Sequence, residues 1–233
     1  MTSRSRPAIR ATAGRLCRTG LRRPCLPGSP DRAGATLHHV ELLRTERLLL
    51  RPWKEPDLAA FFDLYSRDDV ARWLGPQPRR PLATPAEARD RLRRWHDHEQ
   101  GLRPPLGLWA IVPLLPGEPP GQPVGTLLLL PLSDADGPTG LVEVGWHLHP
   151  SHQGRGLATE AARAILAVVP KAGIGQVLAL TDLDNVASQR VAERLGMQDE
   201  GVTGRWFGLT MRQYRLVLGS SGCGSTDLVP PGG

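Results

Sequence analysis

Glu143, His147 and His149 fall at even spacing in a short apolar stretch, EVGWHLH. In an extended strand alternate side chains share a face. Glu143, Gly145, His147 and His149 therefore point one way, and Val142, Val144, Trp146 and Leu148 the other. The second set belongs to a core. The first lines up a carboxylate and two imidazoles, side chains suited to moving protons. A bulge between them would break this phase. The stretch runs straight into PSHQGRGLATE, where Gln153, Gly154, Gly156 and Ala158 sit at a turn before a helix. A helix N-terminus leaves its first N–H groups without intrahelical partners and carries roughly half a positive charge. Small residues let an anion reach that backbone, so the turn is a candidate phosphate site. A proton-handling strand beside such a turn points to a phosphorylated cofactor.

The elements around this stretch alternate in type. Residues 47–53 (RLLLRPW) read as a strand, and 55–65 as a helix opening Glu-Pro-Asp with Leu58, Phe61, Phe62 and Tyr65 at helical spacing. Thr84 caps a second helix, with Pro85 at its first position and Glu87 three residues on; it runs to about 100. Strands are expected over 106–112 and 124–130 around a Pro/Gly-rich hairpin, and over 141–149, with 137–140 supplying the turn before it. A helix follows over 154–169, its buried stripe Leu157, Ala161, Ala164, Ile165 and Val168. A short strand at 176–181, a helix at 185–195 ended by Gly196, and a strand at 209–218 complete one mixed α/β domain over 43–218.

Composition narrows the class. Residues 1–40 hold eight arginines and one acid, a charge of +7, while the whole chain is +6, so the remainder sums to −1. The basic excess belongs to the N-terminal segment. A nearly neutral body argues against nucleic-acid binding, which needs clustered positive charge. Residues 1–42 lack hydrophobic periodicity and read as a disordered Arg/Pro-rich extension, and 219–233 as a flexible tail. No apolar run approaches the ~20 residues of a membrane helix. Cys17, Cys25 and Cys223 all lie in these terminal segments, with no metal-ligand spacing. No metal site is expected, and the location expected is the reducing cytoplasm.

VEVGWHLHPSHQGRGLATEA, followed by DNVASQRVAERLGM and preceded by LRTERLLLRPWKEPD, resembles the GNAT acetyltransferase superfamily and within it the RimJ/RimL-like branch. The resemblance covers about 43–218. It implies a central, mostly antiparallel twisted sheet of about six to seven strands flanked by helices. It also implies acetyl-CoA as donor. On that reading Gln153, Gly154, Arg155, Gly156, Leu157 and Ala158 cradle the pyrophosphate, and the strand Trp146, His147 and Leu148 pairs with the pantetheine arm. Asn185 contacts the arm at the start of its helix, and Ser188 lies beside the thioester. The tyrosine that protonates the departing thiolate in many relatives is matched by Ala192. Ser188 is the candidate general acid, the alternative being a hydroxyl spent on backbone in the first helical turn. Glu143 is the candidate base and His147 a second; either could instead be a structural hydrogen-bonding residue.

The function expected is N-acetylation of a primary amine by direct transfer in a ternary complex. The acceptor is a small molecule or a protein N-terminus, and the protein a monomer or homodimer. A lysine amine is neutral in roughly one molecule per 2,500 at pH 7 and an α-amine in about one in ten, which favours the α-amine. Two rivals remain. A dinucleotide fold would need glycine where Thr159 stands. A non-catalytic, acyl-CoA-binding GNAT-like regulatory domain would bind the donor without turnover.

Overall fold

The computed structural model describes residues 43–75 and 77–219. The extension expected over 1–42 and the tail from 220 onward lie outside the described residues. Eight strands form one sheet: β1 (Leu43–Arg44), β2 (Leu48–Pro52), β3 (Gly107–Pro113), β4 (Gly125–Asp134), β5 (Gly137–Leu148), β6 (Gln176–Thr181), β7 (Gln198–Thr203) and β8 (Met211–Val217). Their order is β1-β2-β3-β4-β5-β6-β8-β7. Every pairing is antiparallel except β5 with β6, which run parallel and share a single register pair, Glu143 with Leu178. Beyond that pair the two strands part, and the sheet becomes two antiparallel halves hinged at Glu143.

Both faces are covered, which is why β3 reads as an unbroken apolar run and not as an alternation. Trp109 and Ile111 enter one core cluster, Ala110 and Val112 the other. The first cluster lies under α4 (Leu157–Val168) and draws on both halves of the sheet, joining Leu127 and Val144 to Val177, Ala179 and Tyr214. The second lies under α1 (Leu58–Tyr65) and α3 (Pro85–Glu99), where Phe61 and Tyr65 each meet Trp95 edge to face and tilt against one another. The short α2 (Asp68–Ala71) links them, and α5 (Val186–Arg194) follows β6.

The local signals act as their chemistry requires. Thr84 accepts the Glu87 backbone N–H at 3.2 Å, while the Glu87 carboxylate closes onto Ala83 N rather than Thr84 N. Before α1, Asp57 accepts from Lys54 N and takes the Arg51 guanidinium in two bonds of 2.6 and 2.8 Å, although Asp57 is only 5% exposed. Two expectations are corrected. The segment 137–140 is strand; the hairpin reverses one step earlier, across Ala135 and Asp136, where Asp134 Oδ1 accepts from Asp136 N. Neither β1 nor β7 is among the six strands expected from the sequence, and with both the sheet has eight where about six to seven were expected.

Candidate active site

The parting of β5 and β6 opens a groove of two adjoining cavities. The wider, about 540 Å³, lies between the β5–β6 fork and α3. The narrower, about 450 Å³, runs toward the turn that precedes α4. Trp73, Trp146, Asn185 and Ser188 line both, so the cavities meet at the start of α5.

Glu143 stands in the wider cavity at the hinge. Burial pushes its carboxyl up to about 8, and no other influence offsets that. Its phase partner His147 lines the same cavity. The β5 register is regular from Val142 to Leu148, so no bulge turns either side chain away. Burial, helped by the Arg91 charge, drives the His147 imidazole down to about 4 and keeps it neutral. Behind it runs a buried chain of hydrogen bonds. Trp53 Nε1–H donates to Thr126 Oγ1 at 3.1 Å, the Thr126 and Tyr65 hydroxyls are 2.7 Å apart, and Tyr65 Oη lies 3.1 Å from His147 Nδ1. Each donor finds an acceptor in this chain only if Thr126 donates to Tyr65 and Tyr65 donates to Nδ1. His147 then carries its proton on Nε2.

Three arginines also line the wider cavity. Arg79 is held by Asp182 at 2.7 Å and by the carbonyls of Gly75 and Arg72, which ties the loop before α3 to the end of β6. Arg80 reaches Glu87 at 3.0 Å. Arg91 lies over the Tyr65 ring, 5.8 Å from its centre, and among the described residues makes no ion pair. Desolvation lowers its pKa.

At the other end, Gly154 (φ +73°) and Gly156 (φ +78°) bend the chain so that Gly156 caps α4. The first backbone bond of the helix is Glu160 N–H to Gly156 O, which leaves the N–H groups of Leu157, Ala158 and Thr159 to the groove. Nothing lies within 4 Å of a Cβ added at Gly154. The Thr159 hydroxyl is buried without a hydrogen-bond partner. Arg47 braces the turn: it pairs with Glu160 at 2.5 Å and donates to Arg155 O.

A family model described as "Acetyltransferase (GNAT) domain" matches residues 47–198, more than half of the chain. The chain belongs to the GNAT acetyltransferase family. It is similar to the uncharacterized N-acetyltransferase YoaA of Bacillus subtilis, at 25% identity over 77% of this chain and 90% of that one. Among solved structures it is similar to the acetyltransferase from Agrobacterium tumefaciens strain C58, with 25% identity, a TM-score of 0.59, and 76% and 94% of the two chains covered. It also shares the fold of RimL, a ribosomal L7/L12 α-N-protein acetyltransferase solved in complex with coenzyme A, with 18% identity, a TM-score of 0.61, and 78% and 100% covered.

Within this GNAT domain most residues picked out by sequence come together. Trp146, Leu148, Gln153, Gly154, Gly156, Leu157, Ala158, Asn185 and Ser188 all line the narrower cavity. Leu157 and Ala158 bury their side chains in the core and offer backbone only. Gln153 spends its side-chain amide on Leu148 O, closing the turn. Asn185 Oδ1 accepts from Ser188 N, so it is the serine's amide that bonds within the turn, and its hydroxyl is left at the cavity junction. Two residues depart from expectation. Arg155 is exposed and lines neither cavity of the groove. His149 leaves the strand, accepts from Ser151 N and sits 3.2 Å from Asp63, so it does not join Glu143 and His147. Tyr65, Thr126, Arg91 and Thr159 were not foreseen. Arg91 had a signal: Ala88 three residues before it and Trp95 four after lie on the same inward stripe.

Proposed function

We propose that this protein is an acetyl-CoA-dependent N-acetyltransferase of the RimJ/RimL-like kind, acting on a primary amine by direct transfer. The observation that carries this is the pair of adjoining cavities that meet at Trp146, Asn185 and Ser188, one ending on free helix N–H groups and the other on Glu143. An elongated donor with a diphosphate at one end and a thioester in its middle fits that groove. The open space at Gly154 and the unpartnered Thr159 hydroxyl suit phosphate oxygens. Coenzyme A in the solved RimL complex supports the same donor.

Glu143 acts as base. A carboxyl held near 8 matches an α-amine near 8, so proton transfer between them is almost level; a lysine near 10.4 would be uphill by roughly 3 kcal/mol. The neutral amine attacks the thioester carbonyl, forming the N–C bond. As the C–S bond breaks, Ser188 donates its proton to the departing sulfur and is reprotonated, through water, by the proton that the new amide nitrogen sheds; Glu143 then returns its proton to solvent. His147, neutral and with its proton on Nε2, is a donor and not a base near pH 7.

The test is release of free thiol from acetyl-CoA across a panel of α-amines and ε-amines, with thermal shift by acetyl-CoA and NAD measured alongside. Thiol release favouring α-amines, with stabilisation by acetyl-CoA alone, is expected. Stabilisation by NAD alone overturns the donor. Binding of acetyl-CoA with no release over the panel makes the domain a non-catalytic acyl-CoA binder.

A further inference from the structure

Five charged side chains line the wider cavity: Arg79, Arg80, Arg91, Asp182 and Glu143. Asp182 neutralises Arg79, and Glu87, just outside, is committed to Arg80 and to the Ala83 N–H. Glu143 is mostly uncharged below pH 8. Arg91 is left over. It is half-buried on α3 with its guanidinium over the Tyr65 ring, and among the described residues no carboxylate is bonded to it. A cation drawn out of water without a partner carries a desolvation cost that a bound anion would recover. Among the described residues the carboxylate whose charge reaches Arg91 is Glu87, one turn back on α3, and it is already bonded to Arg80.

His147 stands beside the same tyrosine, its ring 5.9 Å from that of Tyr65. The Trp53–Thr126–Tyr65 chain holds Nδ1 as the acceptor, which leaves Nε2–H as the free donor. Both side chains line one cavity beside one aromatic ring, and the Arg91 charge reaches the His147 imidazole, which suits the pair to one shared carboxylate. Glu143, which feels no nearby cation, stands at the other end of the strand face and suits the amine. Resting on the acetyltransferase reading above, we infer that the acceptor is an amine that also carries a carboxylate, bound between Arg91 and His147 while its nitrogen lies at Glu143.

Strand geometry bears on where that carboxylate sits. His147 lies four positions along β5 from Glu143, roughly 13 Å of strand. This span favours a carboxylate several bonds from the amine, as on an acidic side chain near a peptide N-terminus, over the α-carboxylate of a free amino acid.

Equilibrium binding of the N-acetylated products tests the inference without turnover. Trp73 and Trp95 line the cavity and report occupancy by fluorescence. The coenzyme A-loaded protein is titrated with N-acetyl-Ser-Glu-Ala-amide against its Gln counterpart, and with N-acetylserine against its amide. The Glu peptide is expected to bind at least tenfold more tightly than the Gln peptide. Arg91→Met should abolish that preference, and Arg91→Lys should keep part of it. A preference confined to N-acetylserine over its amide would still place a carboxylate at Arg91 but assign it to a free amino acid. No discrimination in either pair, or discrimination that survives Arg91→Met, overturns the inference. If the parent amines give no thiol release yet the carboxylate preference holds, the transfer reading fails and the anion subsite stands.

Discussion

With the role proposed for Glu143 as base, a carboxyl group pushed up to about 8 ties both rate and stability to one protonation state. Glu143 must be ionised to take a proton, so kcat/KM should rise with pH through about 8 and level above it. Glu143→Gln should lower the rate about 10²–10⁴-fold and remove that limb. Any limb that remains should move with the pKa of the amine used, which separates enzyme from substrate. Stability follows the opposite course. The folded-state pKa lies above the unfolded value, so the fold favours the protonated form and loses stability as pH rises from about 4.5 to 8. Urea denaturation at pH 5 and pH 8.5 should show the native protein losing stability across that interval and Glu143→Gln losing less. His147, held near 4, should add no limb between pH 5 and 9.

At the scale of elements the turn before α4 makes a separable prediction. Gly154 and Gly156 occupy the left-handed region, where an L side chain costs roughly 1–2 kcal/mol. A Cβ at Gly154 meets nothing, and one at Gly156 meets only the flexible end of Arg47 at 3.7 Å. Packing therefore does not demand glycine there; backbone conformation does, and so would close approach of the proposed donor. Gly154→Ala and Gly156→Ala should weaken acetyl-CoA binding at least tenfold by calorimetry. Gly173→Ala, at φ +78° after the end of α4, should carry the same strain and leave affinity unchanged. Strain of equal size with and without loss of affinity isolates the ligand's share.

Elements also show where reading from sequence succeeds and fails. The β5 face and the turn were legible because period-two alternation and small residues report local geometry directly. β7 was not, because QDEGVT carries no apolar alternation and residues that disfavour strands. It pairs at the sheet edge through its backbone, braced by Asp199 to Arg212 and Glu200 to Arg215 from β8. The buried chain from Trp53 to His147 was equally hidden. Thr126 and Tyr65 lie 61 residues apart and Tyr65 and His147 82 apart, so only the fold brings them together.

For the whole molecule the question is whether two sheet halves that share one register pair behave as one body. The hydrogen-bonded seam is weak, since β5 and β6 meet only at Glu143 and Leu178. The apolar core tells the other way. Ile165 on α4, fully buried, belongs to a cluster that takes Leu127, Val142 and Val144 from one half and Val177, Ala179 and Tyr214 from the other. Burial, not strand pairing, therefore joins the halves, and the groove can open at the seam without dividing the protein. Ile165→Ala should cost about 2–5 kcal/mol. If the halves are one cooperative unit, far-ultraviolet circular dichroism and tryptophan fluorescence should report a single coincident transition in that variant, shifted to lower denaturant. Two separated transitions would mean that the seam, and not the core beneath α4, sets the limit of cooperativity. If acetyl-CoA lies across the fork as proposed, a hundredfold excess over its Kd should add about 2.7 kcal/mol to that single transition, because such a ligand binds only when both halves are in place.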